Sequence, residues 1–175
     1  MDVKLGIGRA TGMFYHAPAG TALPASPTEQ IPATWKNVGD ITSDGILFSN
    51  SKDSTKLKNW ANKIKRTAMN DHSETVKGSV MDTTLEALKT VLGESNVVKS
   101  NNTVTASLSN GDFPPPEAFL FVMKDGDDIM MLGCTQGQII EMDDVTFAPG
   151  SAITWSPTIE GQEDGWKFIY EDATV

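Results

Sequence analysis

Cysteine, basic residues and long apolar runs are all scarce in this sequence. The only cysteine, Cys134, excludes an intrachain disulfide and any metal site built from several cysteines. No apolar run approaches the roughly 18 residues of a membrane span, which predicts a protein without a membrane anchor. The first residues lack the basic and then apolar regions of a signal peptide. We therefore expect a soluble protein that remains inside the cell that makes it.

The charge is acidic overall and unevenly distributed: 14 Lys and Arg against 23 Asp and Glu give a formal net charge of −9. Residues 1–100 carry 12 basic against 10 acidic residues, a net +2, whereas residues 101–175 carry 2 against 13, a net −11. Such acidity argues against a protein that binds nucleic acid phosphates. The acids lie between apolar stretches, where turns favour aspartate, and a shared acidic surface is the alternative interpretation.

The length of 175 residues, 39% of them hydrophobic, predicts a single domain over residues 1–175 with a substantial core. Residues 17–34 hold four prolines, which fix φ and remove backbone donors, so they predict an extended arm or loop within that domain. The polar residues 49–56 predict a loop, and residues 70–73 predict a hairpin connection. Apolar spacing also allows a helix over residues 55–65, although strands are favoured there.

One helix is predicted, from about residue 84 to residue 92. Thr83 and Glu86 have the spacing of a capping box, in which the threonine caps the helix and the glutamate bonds back to it. An apolar stripe follows, and Gly93 supplies a left-handed stop. Because the helix is short and amphipathic, its stripe must pack against the surrounding strands.

The rest of the chain shows short strand-like stretches at close spacing. The clearest are the apolar residues 118–123 and the sequence Asp125-Gly126-Asp127, which is typical of a hairpin turn. Further strands are predicted at 103–108, 129–132, 139–142, 145–147, 153–155 and 167–170. This pattern predicts a mostly β fold, an antiparallel β-sandwich or barrel with one short amphipathic α-helix.

The sequence contains no motif that indicates catalysis. The glycines of residues 6–12 lack the spacing and the following helix of a dinucleotide-binding motif. His16 and His72 are the only histidines, and residues 71–73 bring triad residue types together only as chain neighbours. Cys134 has no second cysteine and is interpreted as a small buried residue. We expect no enzyme activity, no metal and no cofactor.

A series of motifs runs in a fixed order through residues 12–98. Gly12 and the stretch Ala-Pro-Ala-Gly-Thr-Ala-Leu-Pro at 17–24 come first, followed by Trp-Lys-Asn-Val-Gly-Asp-Ile-Thr-Ser-Asp-Gly at 35–45. The Lys-Asn-Trp at 58–60, a basic strand and the helix with its Asn-Val-Val exit complete the series. In this order the motifs, which cover about half of the chain, resemble the major tail tube proteins of long non-contractile-tailed bacteriophages, particularly those of actinobacterial hosts.

The resemblance implies a structural virion protein with the family's β-sandwich or barrel, one flanking helix and long loops. It implies that protomers form hexameric rings and that stacked rings form the tail tube, the conduit for genome delivery. The implied partners are a tape-measure protein, a tail terminator and tail-tip or baseplate proteins. DNA would pass through the tube without specific binding, and the tube would be assembled in the cytoplasm of the bacterial host.

Two groups of residues are predicted to serve this role. Basic and polar residues of the 49–72 region are predicted to pair with acids of a neighbouring protomer. This candidate assembly interface consists of Asn50, Lys52, Asp53, Trp60, Lys63, Lys65, Arg66, Asp71 and His72. Some turn aspartates are predicted to face the lumen, where like charge would repel DNA phosphates. This candidate acidic lining consists of Asp125, Asp127, Asp128, Asp143 and Asp144.

Two alternative functions stay open at this stage. The first is another phage virion component, a tail terminator or a capsid decoration protein, since these also combine β-rich folds with an absence of catalytic chemistry. The second is a monomeric β-sandwich that binds a carbohydrate or a small ligand. It would need an exposed aromatic platform from the four tryptophans, for which placement in the core is the favoured interpretation.

Overall fold

The computed structural model describes residues 5–8, 13–109 and 111–171. The glycine-rich segment at 6–12 therefore lies partly outside the described residues, and Gly12, the start of the motif series, lies outside them. The described chain forms eleven strands, one α-helix and a 3-10 turn at Glu94–Asn96. In chain order these are β1 Ile7–Gly8, β2 Phe14–Pro18, β3 Lys36–Gly39, β4 Ile41–Lys58, β5 Ile64–Val80, α1 Leu85–Leu92, β6 Val97–Ser100, β7 Thr103–Ala106, β8 Glu117–Asp125, β9 Asp128–Met142, β10 Pro157–Gly161 and β11 Lys167–Tyr170.

Nine of the strands form one antiparallel sheet in the order β3-β2-β8-β9-β10-β5-β4. Strand β1 lies beside β8, and β11 lies beside β9. Strands β6 and β7 form a separate two-stranded hairpin. The prediction of a mostly antiparallel β fold with one short helix is confirmed.

Strand β8 is buried on both faces and separates two apolar clusters. Phe119 and Phe121 belong to the larger cluster, and the alternate residues Leu120 and Val122 belong to the smaller one. Since successive side chains of a strand point to opposite faces, the two clusters lie on opposite sides of the sheet. In the larger cluster Phe14 stacks on Phe121, with ring centroids 4.4 Å apart and an angle of 4° between the rings. This strand is the centre of the core.

Helix α1 covers the larger cluster with the buried residues Ala87, Leu88 and Val91. Its cap is Thr84, whose Oγ1 accepts a hydrogen bond from the Ala87 N–H at 3.1 Å. The predicted capping box was wrong by one residue, because the Thr83 hydroxyl instead accepts a hydrogen bond from Trp155 Nε1 at 3.2 Å.

The helix ends at Gly93 with φ 90° and ψ 140°, a conformation that a side chain would strain. Within the described residues no helix has both the length and the apolar character needed to cross a membrane.

The smaller cluster lies under the loop that follows β2. Trp35 is buried there, and Leu23 and Ile31 are partly buried against the same cluster. The first two residues of the predicted 17–34 arm belong to β2, where they pair with the start of β8. The loop therefore covers the face of the sheet opposite to helix α1.

Strands in the second half of the chain are longer and fewer than predicted. The stretches predicted at 129–132 and 139–142 are parts of the single strand β9, because the intervening residues also pair with neighbours. Residues 145–147 are not a strand, although Val145 packs against the larger cluster. Residues 153–155 contribute only one bridge, between Trp155 and Val80. The apolar residues of these two segments that face the core, Val145, Ile153 and Trp155, are buried at least in part, but their backbone is not paired as a strand.

We expect Phe14→Ala to lower the free energy of unfolding by about 3–5 kcal/mol, because the ring is fully buried and its removal leaves a cavity in the core. Chemical denaturation followed by tryptophan fluorescence measures the change. Phe147→Ala is the matched control, since this ring is 64% exposed and its removal should change stability by less than about 0.5 kcal/mol. Equal losses of unfolding free energy in the two variants would contradict the placement of Phe14 in the core.

Candidate functional site

Strands β4 and β5 continue beyond the core as a two-stranded projection, residues 49–73, which we call the hairpin arm. None of its side chains is buried. The predicted loop at 49–56 and the predicted connection at 70–73 were wrong, because both segments are strand and pair across the arm. The alternative helix over 55–65 is also absent from this described part of the chain. Both faces of the arm are solvated, so its sequence lacks the apolar alternation by which a strand is recognised.

The arm turns at residues 59–63, where Asn59 closes the hairpin. The Asn59 N–H donates to the Lys63 carbonyl at 2.9 Å, and the Asn59 side-chain oxygen accepts from the Lys63 N–H at 2.8 Å. Asn62 adopts φ 60°, which asparagine tolerates better than most residues. Trp60 lies at the tip of this turn and is fully exposed.

The arm is long and its pairing is irregular. From Ser49 to Lys58 it spans about 30 Å at the usual rise of a strand. Its register shifts between Asp53 and Ser54 and again between Leu57 and Lys58, so it contains two bulges. Because bulges increase twist and break regular pairing, they discourage simple edge-to-edge addition of further strands.

The arm and the rest of the molecule carry opposite charge. Residues 49–73 hold six Lys and Arg against two Asp, a net +4. The remaining residues hold 8 basic against 21 acidic residues, a net −13. The charge excess of the arm is therefore opposite in sign to that of the rest of the chain.

All nine residues of the candidate assembly interface lie on the hairpin arm. The structure brings His72 to Asn50, with Nε2 and Oδ1 3.1 Å apart, and places His72 opposite Lys52 in the ladder. Asp53 and Asp71 lie directly opposite each other, and each carboxylate accepts a hydrogen bond from the N–H of the following residue. Like charges in facing positions destabilise an isolated ladder.

The candidate acidic lining falls into two groups at opposite ends of β9. Residues 125–128 form the β8–β9 turn, and residues 143–144 follow the last residue of β9. A strand of this length spans roughly 45 Å, so the two groups form no single cluster. Asp143 pairs with Lys77 at 2.7 Å, and Asp125 accepts a hydrogen bond from the Leu5 N–H at 3.0 Å.

The sequence does not reveal an ionic cluster around the buried His16. His16 of β2 contacts Glu117 of β8 through Nδ1 and Glu86 of α1 through Nε2, both at 2.8 Å. These partners are 101 and 70 residues away along the chain, so no local spacing indicates them. The sequence identifies His16 only as one of its two histidines.

The described residues offer little for nucleophilic or metal chemistry. Burial raises the pKa of the Cys134 thiol to about 12, so this fully buried side chain is a packing residue, as its sequence context predicts. Among the described residues, no three His, Cys, Asp or Glu side chains are grouped to hold a metal ion. Of the tryptophans, Trp35 and Trp155 are buried, and only Trp60 is fully exposed.

One protein-family model matches nearly the whole chain. The family model described as phage tail tube protein matches residues 7–173. No curated protein matches the chain.

Three solved structures are similar at low identity. The cap of the anti-feeding prophage, described as a tube-terminating cap, is 10% identical with a TM-score of 0.48, covering 98% of this chain and 97% of that one. The tail of an empty gene transfer agent particle, refined helically with C6 symmetry, is 6% identical with a TM-score of 0.44, covering 91% and 95%. The virion of the native gene transfer agent particle contains a chain that is 6% identical with a TM-score of 0.42, covering 81% and 92%.

We expect the body of the molecule to fold without most of the arm. In the test variant, residues 52–72 are replaced by Asn-Gly, a two-residue turn that suits the paired Ser51 and Ser73. Its free energy of unfolding should lie within about 1 kcal/mol of the full chain, since no buried side chain is removed. Chemical denaturation and circular dichroism measure this. An unfolded variant would show that the arm stabilises the single protomer.

Proposed function

Since this chain belongs to the phage tail tube protein family, we propose that its copies assemble through the hairpin arm into stacked hexameric rings that form the tail tube. The chain is a structural protein of the phage virion, and the tube is its conduit for genome delivery. The observation that carries the proposal is the charge separation between arm and body, a net +4 against a net −13. Different surfaces that attract each other produce a head-to-tail contact, which closes a ring or extends a filament.

The exposed apolar residues of the arm support the same proposal. Trp60 is fully exposed, and Leu57, Ile64 and Met69 are each more than half exposed. A soluble monomer gains nothing from such side chains on a narrow projection, whereas burial against a neighbour stabilises a complex by roughly 25 cal/mol per Å² of apolar surface. Lysine and arginine around this apolar tip would then meet acids of the neighbouring body.

The wider assembly follows from the same proposal. The tube would form around a tape-measure protein in the cytoplasm of the bacterial host and would join a tail terminator and tail-tip or baseplate proteins. The role of the chain is structural throughout, without catalysis. A virion component of another kind, a terminator or a capsid decoration protein, would use the same fold without extended polymerisation.

We also propose that part of the candidate acidic lining faces the lumen. The two aspartate groups lie at opposite ends of β9, so they would form two acidic bands rather than one continuous coat. Acidic bands repel DNA phosphates and keep the genome from adhering to the wall. Asp143 is already paired with Lys77, which offsets part of the charge of its group.

The assembly proposal predicts that Lys65→Glu with Arg66→Glu abolishes rings and tubes while leaving the fold intact. Both side chains are exposed on the arm, so their reversal removes attraction to the acidic body without disturbing a core. Sedimentation velocity over a range of concentrations and negative-stain electron microscopy measure assembly. Added salt should weaken assembly of the unchanged protein, because it screens exposed charges.

The matched control is Lys99→Glu with Lys124→Glu, which makes the same charge change at two exposed positions outside the arm. The control should assemble. Tubes formed by the arm variant as readily as by the control would refute the role of the arm. A full chain that stays monomeric at every concentration and with tape-measure protein present would refute the tube itself.

The lumen proposal predicts that tubes with Asp125→Asn, Asp127→Asn and Asp144→Asn retain more DNA than unchanged tubes. Removing three negative charges per protomer weakens the repulsion of phosphates. Co-pelleting with linear duplex DNA measures retention, and Asp44→Asn with Glu163→Gln and Glu171→Gln is the control of equal charge change at exposed positions. A tube reconstruction with both aspartate groups on the outer surface would end the proposal.

A further inference from the structure

The cluster around His16 lies apart from the arm and joins three elements of the fold. His16 is buried in β2, between Glu117 of β8 and Glu86 of α1. Both ring nitrogens contact a carboxylate oxygen at 2.8 Å. The two glutamate side chains are each 31% exposed, so solvent and protons reach the cluster without unfolding of the protein.

The protonation state follows from the number of hydrogens in this arrangement. An ionised carboxylate only accepts hydrogen bonds, whereas a neutral imidazole has one donor nitrogen and one acceptor nitrogen. With a neutral ring, one of the two contacts would set a lone pair against a carboxylate oxygen. When both glutamates are ionised, only the imidazolium donates to both, so the geometry fits a positively charged His16 between two carboxylates.

We propose that protonated His16 is an ionic latch that fastens helix α1 to the sheet, and that its deprotonation at higher pH loosens the helix. The latch is the polar link between α1 and strands β2 and β8, since Glu86 lies on the helix and Glu117 on β8. Without the proton, two carboxylates face a ring that can satisfy only one of them. The apolar stripe of α1 still holds the helix, so the expected change is local and not global unfolding.

Other charged groups around the latch influence the pH at which it opens. Lys36 of β3 lies 3.5 Å from the Glu86 Oε1 atom that His16 also contacts, so it can hold Glu86 when the ring is neutral. Lys89 of α1 pairs with Glu94 at 3.0 Å. These groups line a cavity of about 600 Å³ beside the latch, whose wall also includes residues 17–19, 33–34 and 114–116.

The pKa of His16 is shifted in the direction that the latch requires. Burial, the largest single influence, lowers it, but the hydrogen bonds and charges of Glu117 and Glu86 together outweigh burial and raise it above the ordinary 6.5. For a raised histidine pKa, the stabilisation is fully present below pH 6.5 and is lost as the pH rises through the pKa of the folded protein. The latch is therefore closed in mildly acidic solution and opens on the alkaline side.

Nuclear magnetic resonance of the full-length chain tests the protonation state, and His72→Gln assigns the two imidazole signals. We expect the His16 ring to carry hydrogens on both nitrogens at pH 6.5 and to titrate with a midpoint above 6.5. Glu117→Gln, which keeps an acceptor but removes its charge, should move the midpoint downward. A neutral His16 ring at pH 6.5, or a midpoint unmoved by this substitution, would overturn the proposal.

Hydrogen exchange tests the movement of the helix. After correction for intrinsic exchange, protection of residues 85–92 should fall several-fold as the pH rises through the His16 titration, while protection of β8 stays constant. His16→Gln should give weak helix protection that no longer depends on pH, and His72→Gln should behave as the unchanged protein. If His16→Gln does not fold, Glu86→Gln provides the same comparison. Helix protection that is independent of pH in the unchanged protein would refute the latch.

Discussion

The pairing of β8 with β9 is the constraint on which the rest of the structure depends. Strand β8 sends phenylalanines to one face and Leu120 and Val122 to the other, so both faces must be covered. Helix α1 covers one face, and the loop after β2 covers the other. The buried apolar residues lie in these two layers, whereas the apolar residues of the hairpin arm, Leu57, Trp60, Ile64 and Met69, remain exposed. The core is centred on one strand, and the arm contributes no buried side chain to it.

An arm with both faces in water is an unusual use of a β-hairpin. An isolated two-stranded hairpin is marginally stable, because its ladder has no apolar face to bury. Here the ladder begins in the core at Val76 and Val80 and is carried outward from there. Facing aspartates, bulges and an exposed Trp60 each cost stability in a monomer. Such a surface fits the contact with a neighbouring protomer that we propose for the arm.

The sequence predicted what local signals determine and missed what depends on distant contacts. The helix, β8 and the turn at Gly126 were predicted, because apolar period and turn residues act over a few positions. Strand was correctly favoured over 55–65, but the strand segments at 49–56 and 70–73 were predicted as a loop and a connection, because a strand exposed on both faces has no period of burial. The capping threonine was wrong by one residue, since Glu86 turns toward His16 instead of closing a capping box. The predicted interface residues nevertheless all lie on one projection, because charge and polarity marked the region even where its structure was misjudged.

The charges separate more clearly between the hairpin arm and the remainder than between the two halves of the chain. Split at residue 100, the charge is +2 before and −11 after, which places the acids in a C-terminal half that is not a structural unit. Split between residues 49–73 and the remainder, it is +4 and −13, and the first part is a distinct projection of the fold. Two unlike surfaces on one molecule cannot satisfy each other within that molecule when one of them projects as a stiff hairpin. In the proposed assembly they meet between molecules, and because such a contact is head-to-tail, each new copy would present the same pair of surfaces again.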